Sequence, residues 1–162
     1  MPAMRPPVLS FHAVRSLGRA LVRWPAAHGR GLDPALRERI ILHVSAVNAC
    51  DVCTAFHVRA AEGAGLAGDD IAAACALDLA PRDERTRLAL HYAELRTLGL
   101  DDAPAHAGAV AAFERHYDAG EQAAIRATVD LFTFNNRFNN TWDRLPGAGV
   151  VRRLLIDRVA RR

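Results

Sequence analysis

The sequence predicts an all-α fold, and three observations predict it. Apolar residues recur at three- and four-residue spacing along most of the chain. No segment alternates apolar and polar residues between hairpin turns, as a half-buried strand would. Proline and glycine sit at the ends of the periodic stretches, where helices start and stop. A chain of 162 residues, 51% of them apolar, has the material for one helical domain with a real core.

Met1 to Pro7 holds three prolines and reads as an irregular arm. A first helix is expected over 10–24, stopped by Pro25, with a loop at His28-Gly29-Arg30-Gly31. Asp33-Pro34 opens the next: aspartate caps free N–H groups and proline is tolerated at the first helical position. Leu36, Ile40, Val44 and Val47 give its period, and Asn48-Ala49 breaks it. A helix follows over 50–62, closed by Gly63 and Gly65. Asp69-Asp70 begins a short one, over 69–77. Pro81 begins another, over 81–98, with Leu88, Tyr92, Leu95 and Leu98 as its stripe and Gly99 at its end. Pro104 opens a helix over 104–117, Gly120 precedes a long one over 121–142, and a basic helix is expected over 150–159. The units are an N-terminal arm and basic helix (1–32), a helical domain of antiparallel pairs (33–147) and a C-terminal basic helix (148–162).

All the basic residues are arginine, and the formal charge is only +3. That is weak evidence for nucleic-acid binding, which usually shows a concentrated basic stripe, and no nucleic-acid partner is expected. Residues 1–32 are the uneven stretch, with five arginines and no acid. Arg15, Arg19 and Arg23 recur every four residues, while Val14, Leu17, Leu21 and Trp24 fall largely on another face. Such a helix docks its apolar stripe on its own domain or a sister subunit, the alternative being a membrane-surface or targeting role. No apolar run reaches the roughly 18 residues of a membrane span, and the start lacks the apolar core of a signal peptide. The expected location is the cytoplasm.

One segment concentrates chemistry, Glu38 to His57. Cys50, Cys53 and His57 are three and four apart, so on a helix they share a face. Glu38 lies twelve residues before Cys50, about 18 Å away along a continuous helix. If the chain reverses at Asn48-Ala49, Glu38 and His57 come to similar heights on facing helices. The expected contacts run from Glu38 to His57 to a cysteine. Two cysteines in Cys-x-x-Cys, in a reducing compartment, point to redox or metal chemistry. The thiolate is the nucleophile; a helix N-terminus and an imidazolium both favour it. A carboxylate orients the imidazole, and a second cysteine converts a sulfenic acid to a disulfide. Zinc is the competing use of these residues, with His43 or Glu38 completing the set. Two inert core cysteines are the other alternative.

Glu38, the step to Cys50, the Cys-x-x-Cys and His57 together resemble the carboxymuconolactone decarboxylase family, and within it the alkyl hydroperoxidase D-like branch. The resemblance spans about residues 30–147. Phe134-Asn135-Asn136-Arg137-Phe138 is similar to an Asn-Arg segment on a late helix of such proteins. The resemblance implies an all-helical homo-oligomer, a trimer or hexamer, that reduces hydroperoxides without a bound cofactor or metal. It implies that Cys53 attacks peroxide, that Cys50 donates a proton and closes the disulfide, and that Glu38 and His57 relay protons. The helix-end argument alone favours Cys50 as the more acidic thiol. A dithiol protein, such as a lipoyl carrier, is the implied reductant. Val52 stands where the best-known peroxidase of the branch has a relay histidine. The family's other chemistry, decarboxylation or isomerisation of a lactone acid, needs no cysteine. A zinc-stabilised or interaction module is the non-catalytic alternative.

Of the remaining residues, Cys75 reads as a small core residue; His43 precedes the turn, with an approach to the site as its lesser alternative. His91, His106 and His116 read as surface or satisfied core groups. Trp24 and Trp142 are expected packing anchors. Asn135, Asn136, Asn139 and Asn140, around Arg137 and Phe138, form either interhelix hydrogen bonds and a pocket wall or an exposed helix end.

Overall fold

The computed structural model describes residues 7–22, 31–80 and 83–147, with 149, 150, 154 and 156–158. It is a single helical domain, and the described residues contain no strand. Seven α-helices follow one another: α1 Phe11–Val22, α2 Pro34–Val47, α3 Asp51–Gly63, α4 Gly68–Cys75, α5 Glu84–Leu98, α6 Ala107–His116 and α7 Ala119–Trp142. Pro104–His106 forms a 3-10 turn ahead of α6, so Pro104 opens that turn and not the α-helix. Residues 1–6, most of the loop at 28–31, Trp24 and Pro81 lie outside the described residues. So does much of the terminal helix expected over 150–159, of which 150, 154 and 156–158 are helical.

Local chemistry explains the boundaries. Asp33 caps α2, its carboxylate accepting from the Leu36 N–H at 2.8 Å, with Pro34 in the first turn. Asp83 starts α5 by accepting from Thr86 N–H. At α7, Asp118 and Glu121 form a reciprocal capping box, which moves the start ahead of Gly120.

Four helices end in the same way. A residue in the left-handed region follows the helix, and the residue after it donates its N–H to the carbonyl five residues back. Gly65 (φ 86°) and Gly99 (φ 75°) fill that position after α3 and α5, where glycine costs nothing. Ala49 (φ 48°) and Leu77 (φ 57°) fill it after α2 and α4. A Cβ in the left-handed region costs roughly 1–2 kcal/mol, so the surroundings must hold these two turns in place.

Helix α2 is the hub, packing against α3, α4, α5 and α7. Its Ile40 and Val44 join a core with Leu90, Tyr92, Phe113, Ile125 and Val129, from α5, α6 and α7. Its Leu42 joins a second cluster with Ala61, Leu66, Ile71 and Ala74, around α3 and α4. Each such aliphatic side chain contributes about 1.5–3 kcal/mol when fully buried. Tyr92 stacks on Phe113 with ring centroids 4.0 Å apart. Cys75 is half-buried at the edge of the second cluster, as expected of a small apolar side chain, and burial pushes its thiol pKa up.

Helix α1 docks on its own domain through small side chains rather than its apolar stripe. Its buried residues are Ala13, Ser16 and Ala20, set against α7, while Val14 and Leu21 are 50% and 59% exposed. Small side chains let the two backbones approach closely, and that approach carries Arg19 to Asp130 at 3.0 Å. Asp130 is buried and also receives Arg96 at 2.7 Å, which reaches Asp101 and the Tyr92 hydroxyl as well. Burial works against the Arg96 charge, but Asp130, Tyr92 and Asp101 outweigh it and push its pKa up. Trp142 is 56% exposed, so it is not the packing anchor expected of it.

Candidate active site

The site begins where α2 stops. Cys50 is not a residue of a helix, as the spacing suggested, but the N-cap of α3. Its N–H donates to Ser45 O, closing α2, and its carbonyl accepts from Thr54 N–H, opening α3. One turn therefore ends one helix and starts the next. Cys53 falls in the first turn of α3, where free N–H groups favour negative charge. The two cysteines, with Cα atoms 5.3 Å apart, form a disulfide, and both are buried.

His57 lies one turn beyond Cys53. Its Nδ1–H donates to Glu38 Oε2 at 2.8 Å, joining α3 to α2 as the spacing argument required. A carboxylate only accepts, so Nδ1 carries the proton, and the neutral ring then presents Nε2 as a base. Phe132 of α7 meets the imidazole edge-on at 4.9 Å, fixing its plane. Burial raises the pKa of Glu38, but the hydrogen bond and charge of His57, joined by Arg37 at 3.3 Å, bring it below the usual carboxylate value. Glu38 is thus an ionised group inside the protein. It can orient the imidazole and stabilise its protonated form.

The asparagine-rich part of α7 is a site wall. Arg137 donates to Asn48 Oδ1 at 3.0 Å, to Thr97 O at 2.9 Å and to Ser10 Oγ at 3.3 Å. All three are uncharged oxygens, and burial lowers the Arg137 pKa. Asn140 donates to Asn48 O at 2.7 Å, and Asn136 to Ser45 Oγ at 3.3 Å. Asn48 itself is fully buried and donates to Val44 O. This network grips the turn around Ala49, and so fixes the position of Cys50. Asn139 Nδ2 lies 3.3 Å from Cys53 Sγ. The sequence marked these asparagines as a cluster but held no sign of their partners, which lie 86 to 92 residues away.

His43 is elsewhere. It is fully buried, 3.7 Å from Glu94 Oε2, and has no hydrogen-bond partner among the described residues. Burial lowers its pKa, against the pull of Glu94. His91 and His106 are half-buried, and His116 is exposed, bonding Ala112 O. Among the described residues no group of three or more His, Cys, Asp or Glu is arranged to hold a metal. No described helix is long and apolar enough to cross a membrane.

Fold and site define a class: an all-helical protein with a Cys-x-x-Cys disulfide at a helix start and a carboxylate–imidazole pair on the adjoining helices. Residues 11–95, more than half of the chain, match the carboxymuconolactone decarboxylase family model, and the protein belongs to that family. The match includes α1, which the expected span of 30–147 left out, and stops short of α7. Neither the curated proteins nor the solved structures contain a match to the chain.

Proposed function

We propose that the protein is a thiol peroxidase of the alkyl hydroperoxidase D-like branch, cycling Cys50 and Cys53 between dithiol and disulfide. The observation that carries this is the bond between buried Glu38 and half-buried His57, one helical turn from a cysteine pair already at bonding distance. A lactone decarboxylase would need the proton relay but not the two sulfurs.

In the proposed cycle the Cys53 thiolate attacks the terminal oxygen of a hydroperoxide. The O–O bond breaks, and the leaving alkoxide takes a proton from Cys50 or His57 to depart as an alcohol. Cys53 is then a sulfenic acid. The Cys50 sulfur attacks it, water leaves, and the disulfide forms. A dithiol protein, such as a lipoyl carrier, reduces it: one thiolate attacks, a mixed disulfide forms, and the second thiol resolves it. Glu38 returns the imidazole to its starting tautomer and needs no change of its own charge. Val52 occupies the position between the cysteines without an ionisable group, so His57 is the single imidazole of this relay. A cytoplasmic, trimeric or hexameric homo-oligomer fits this reading.

The test adds one equivalent of hydroperoxide to the reduced protein and counts free thiols. The wild type should lose two thiols rapidly, and the Cys50→Ser variant should accumulate a sulfenic acid that Cys53→Ser does not. Loss no faster than that of a free thiol would overturn the reading. Turnover of a lactone acid that survives both Cys→Ser changes would favour the family's other chemistry.

A further inference from the structure

Asn139 has no part in the cycle above, yet it is the α7 side chain on the reacting sulfur. We propose that Asn139 is a catalytic residue whose amide N–H stabilises negative charge on Cys53. The proposal rests on the reading of Cys50 and Cys53 as a redox-cycling pair.

The 3.3 Å contact goes from Asn139 Nδ2 to Cys53 Sγ. A disulfide sulfur carries no hydrogen, so in this contact it accepts and the amide donates. It accepts weakly, whereas a thiolate accepts strongly. The bond therefore strengthens as charge develops, which is the condition for an interaction to speed a reaction. The donor is held before charge appears. Its neighbours Asn136, Arg137 and Asn140 are buried and bonded to Ser45, Asn48 and Thr97, which sets this stretch of α7 against the turn. Asn139 itself is half-buried and within reach of solvent.

The placement also separates the two sulfurs. When a dithiol's thiolate attacks Cys50 Sγ, a new S–S bond forms, the Cys50–Cys53 bond breaks, and Cys53 leaves as the thiolate facing the Asn139 N–H. The released sulfur is then the one in position to attack peroxide. Asn139 and the first turn of α3 act on the same atom, which answers the helix-end argument for Cys50: the N-cap sulfur lies nearer the helix start, but Cys53 has a side-chain donor. The titratable groups along the turns around Cys53 are the N-cap Cys50, Asp51 and His57 on α3 and, through His57, Glu38 on α2.

The experiment uses the full chain carrying Cys50→Ser, reduced, and follows iodoacetamide alkylation of Cys53 against pH by peptide mass spectrometry. Adding Asn139→Ala should raise the Cys53 pKa by about one unit, lowering its thiolate fraction at neutral pH roughly tenfold. The alkylation rate there should fall by only about threefold, because a more basic thiolate is more nucleophilic. The isosteric Asn139→Asp should raise the pKa further, and Asn135→Ala, an exposed neighbour, should leave the profile unchanged. Profiles for Asn139→Ala and Asn139→Asp that coincide with the parent would overturn the proposal. The alkylation readout needs no peroxide. A shifted profile in a protein that does not consume hydroperoxide would therefore sink the peroxidase reading while supporting the role of Asn139.

Discussion

In its first half, α7 buries a full charge: Asp130 receives the guanidinium groups of Arg19 and Arg96 and so ties α1 and α5 to α7. In its second half, α7 turns to amides. Asn136, Asn139 and Asn140 donate to a hydroxyl, a sulfur and a carbonyl, and the one charge, Arg137, meets only neutral oxygens. The first half cancels charge and fixes helices. The second half fixes a turn with neutral donors and places no carboxylate on the cysteine sulfurs among the hydrogen bonds described. A carboxylate against a forming thiolate would oppose it, whereas an amide does not. Scaffold and site therefore share one helix and differ in whether the buried polar groups are charged.

The largest effect should come from the charged half. Asp130→Asn leaves two guanidinium groups facing an uncharged amide in a buried setting, and should cost about 3 kcal/mol or more. Urea unfolding would show it as a fall in the midpoint without a change in slope. A loss under about 1 kcal/mol, the scale of a surface ion pair, would mean that Asp130 is not the junction of α1, α5 and α7. In the amide half, Asn48→Ala removes one of the three acceptors of Arg137 and the Asn48 bond to Val44 O, and should cost about 2 kcal/mol. Because Asn48 grips the turn and not the helix pair, it should also slow disulfide closure after peroxide, which Asp130→Asn should not do among molecules that remain folded. Equal closure rates in the two variants would erase the distinction between the halves.

The smallest effect is the acid response of Glu38. Its folded pKa is lowered by His57 and Arg37. The stability this contributes is present above the unfolded value, roughly 4.3, and is lost as pH falls through the lower folded value. Glu38→Gln should flatten that loss, seen as a thermal midpoint less dependent on pH below about 4.5 than the wild type's. Unchanged acid dependence would mean that the Glu38–His57 bond contributes nothing to the folded state.

Much of the site is legible in the sequence because its parts lie close together along the chain. Cys50, Cys53 and His57 span two helical turns, and the break at Asn48-Ala49 is enough to bring Glu38 opposite His57. Trp142 misleads because an aromatic residue of one stripe can as easily face solvent as core. Nearness in sequence to Glu38 does not settle which face of α2 His43 occupies; it points to Glu94 on α5. On α1 the apolar stripe does not mark the face set against α7, because close approach there selects Ala13, Ser16 and Ala20.

What the sequence determined by itself is the local part: helix ends written in Asp33 and Gly99, an all-α core, and a thiol pair at a helix start. Caps and periodicity act over a turn or two, so they can be read residue by residue. The tertiary structure alone decided that Asp130 joins three helices, that Arg137 and Asn140 clamp the turn, and that Asn139 meets Cys53. Those partners are separated by tens of residues, and only the packing of the whole domain, which buries α2 on several sides, brings them within bonding distance.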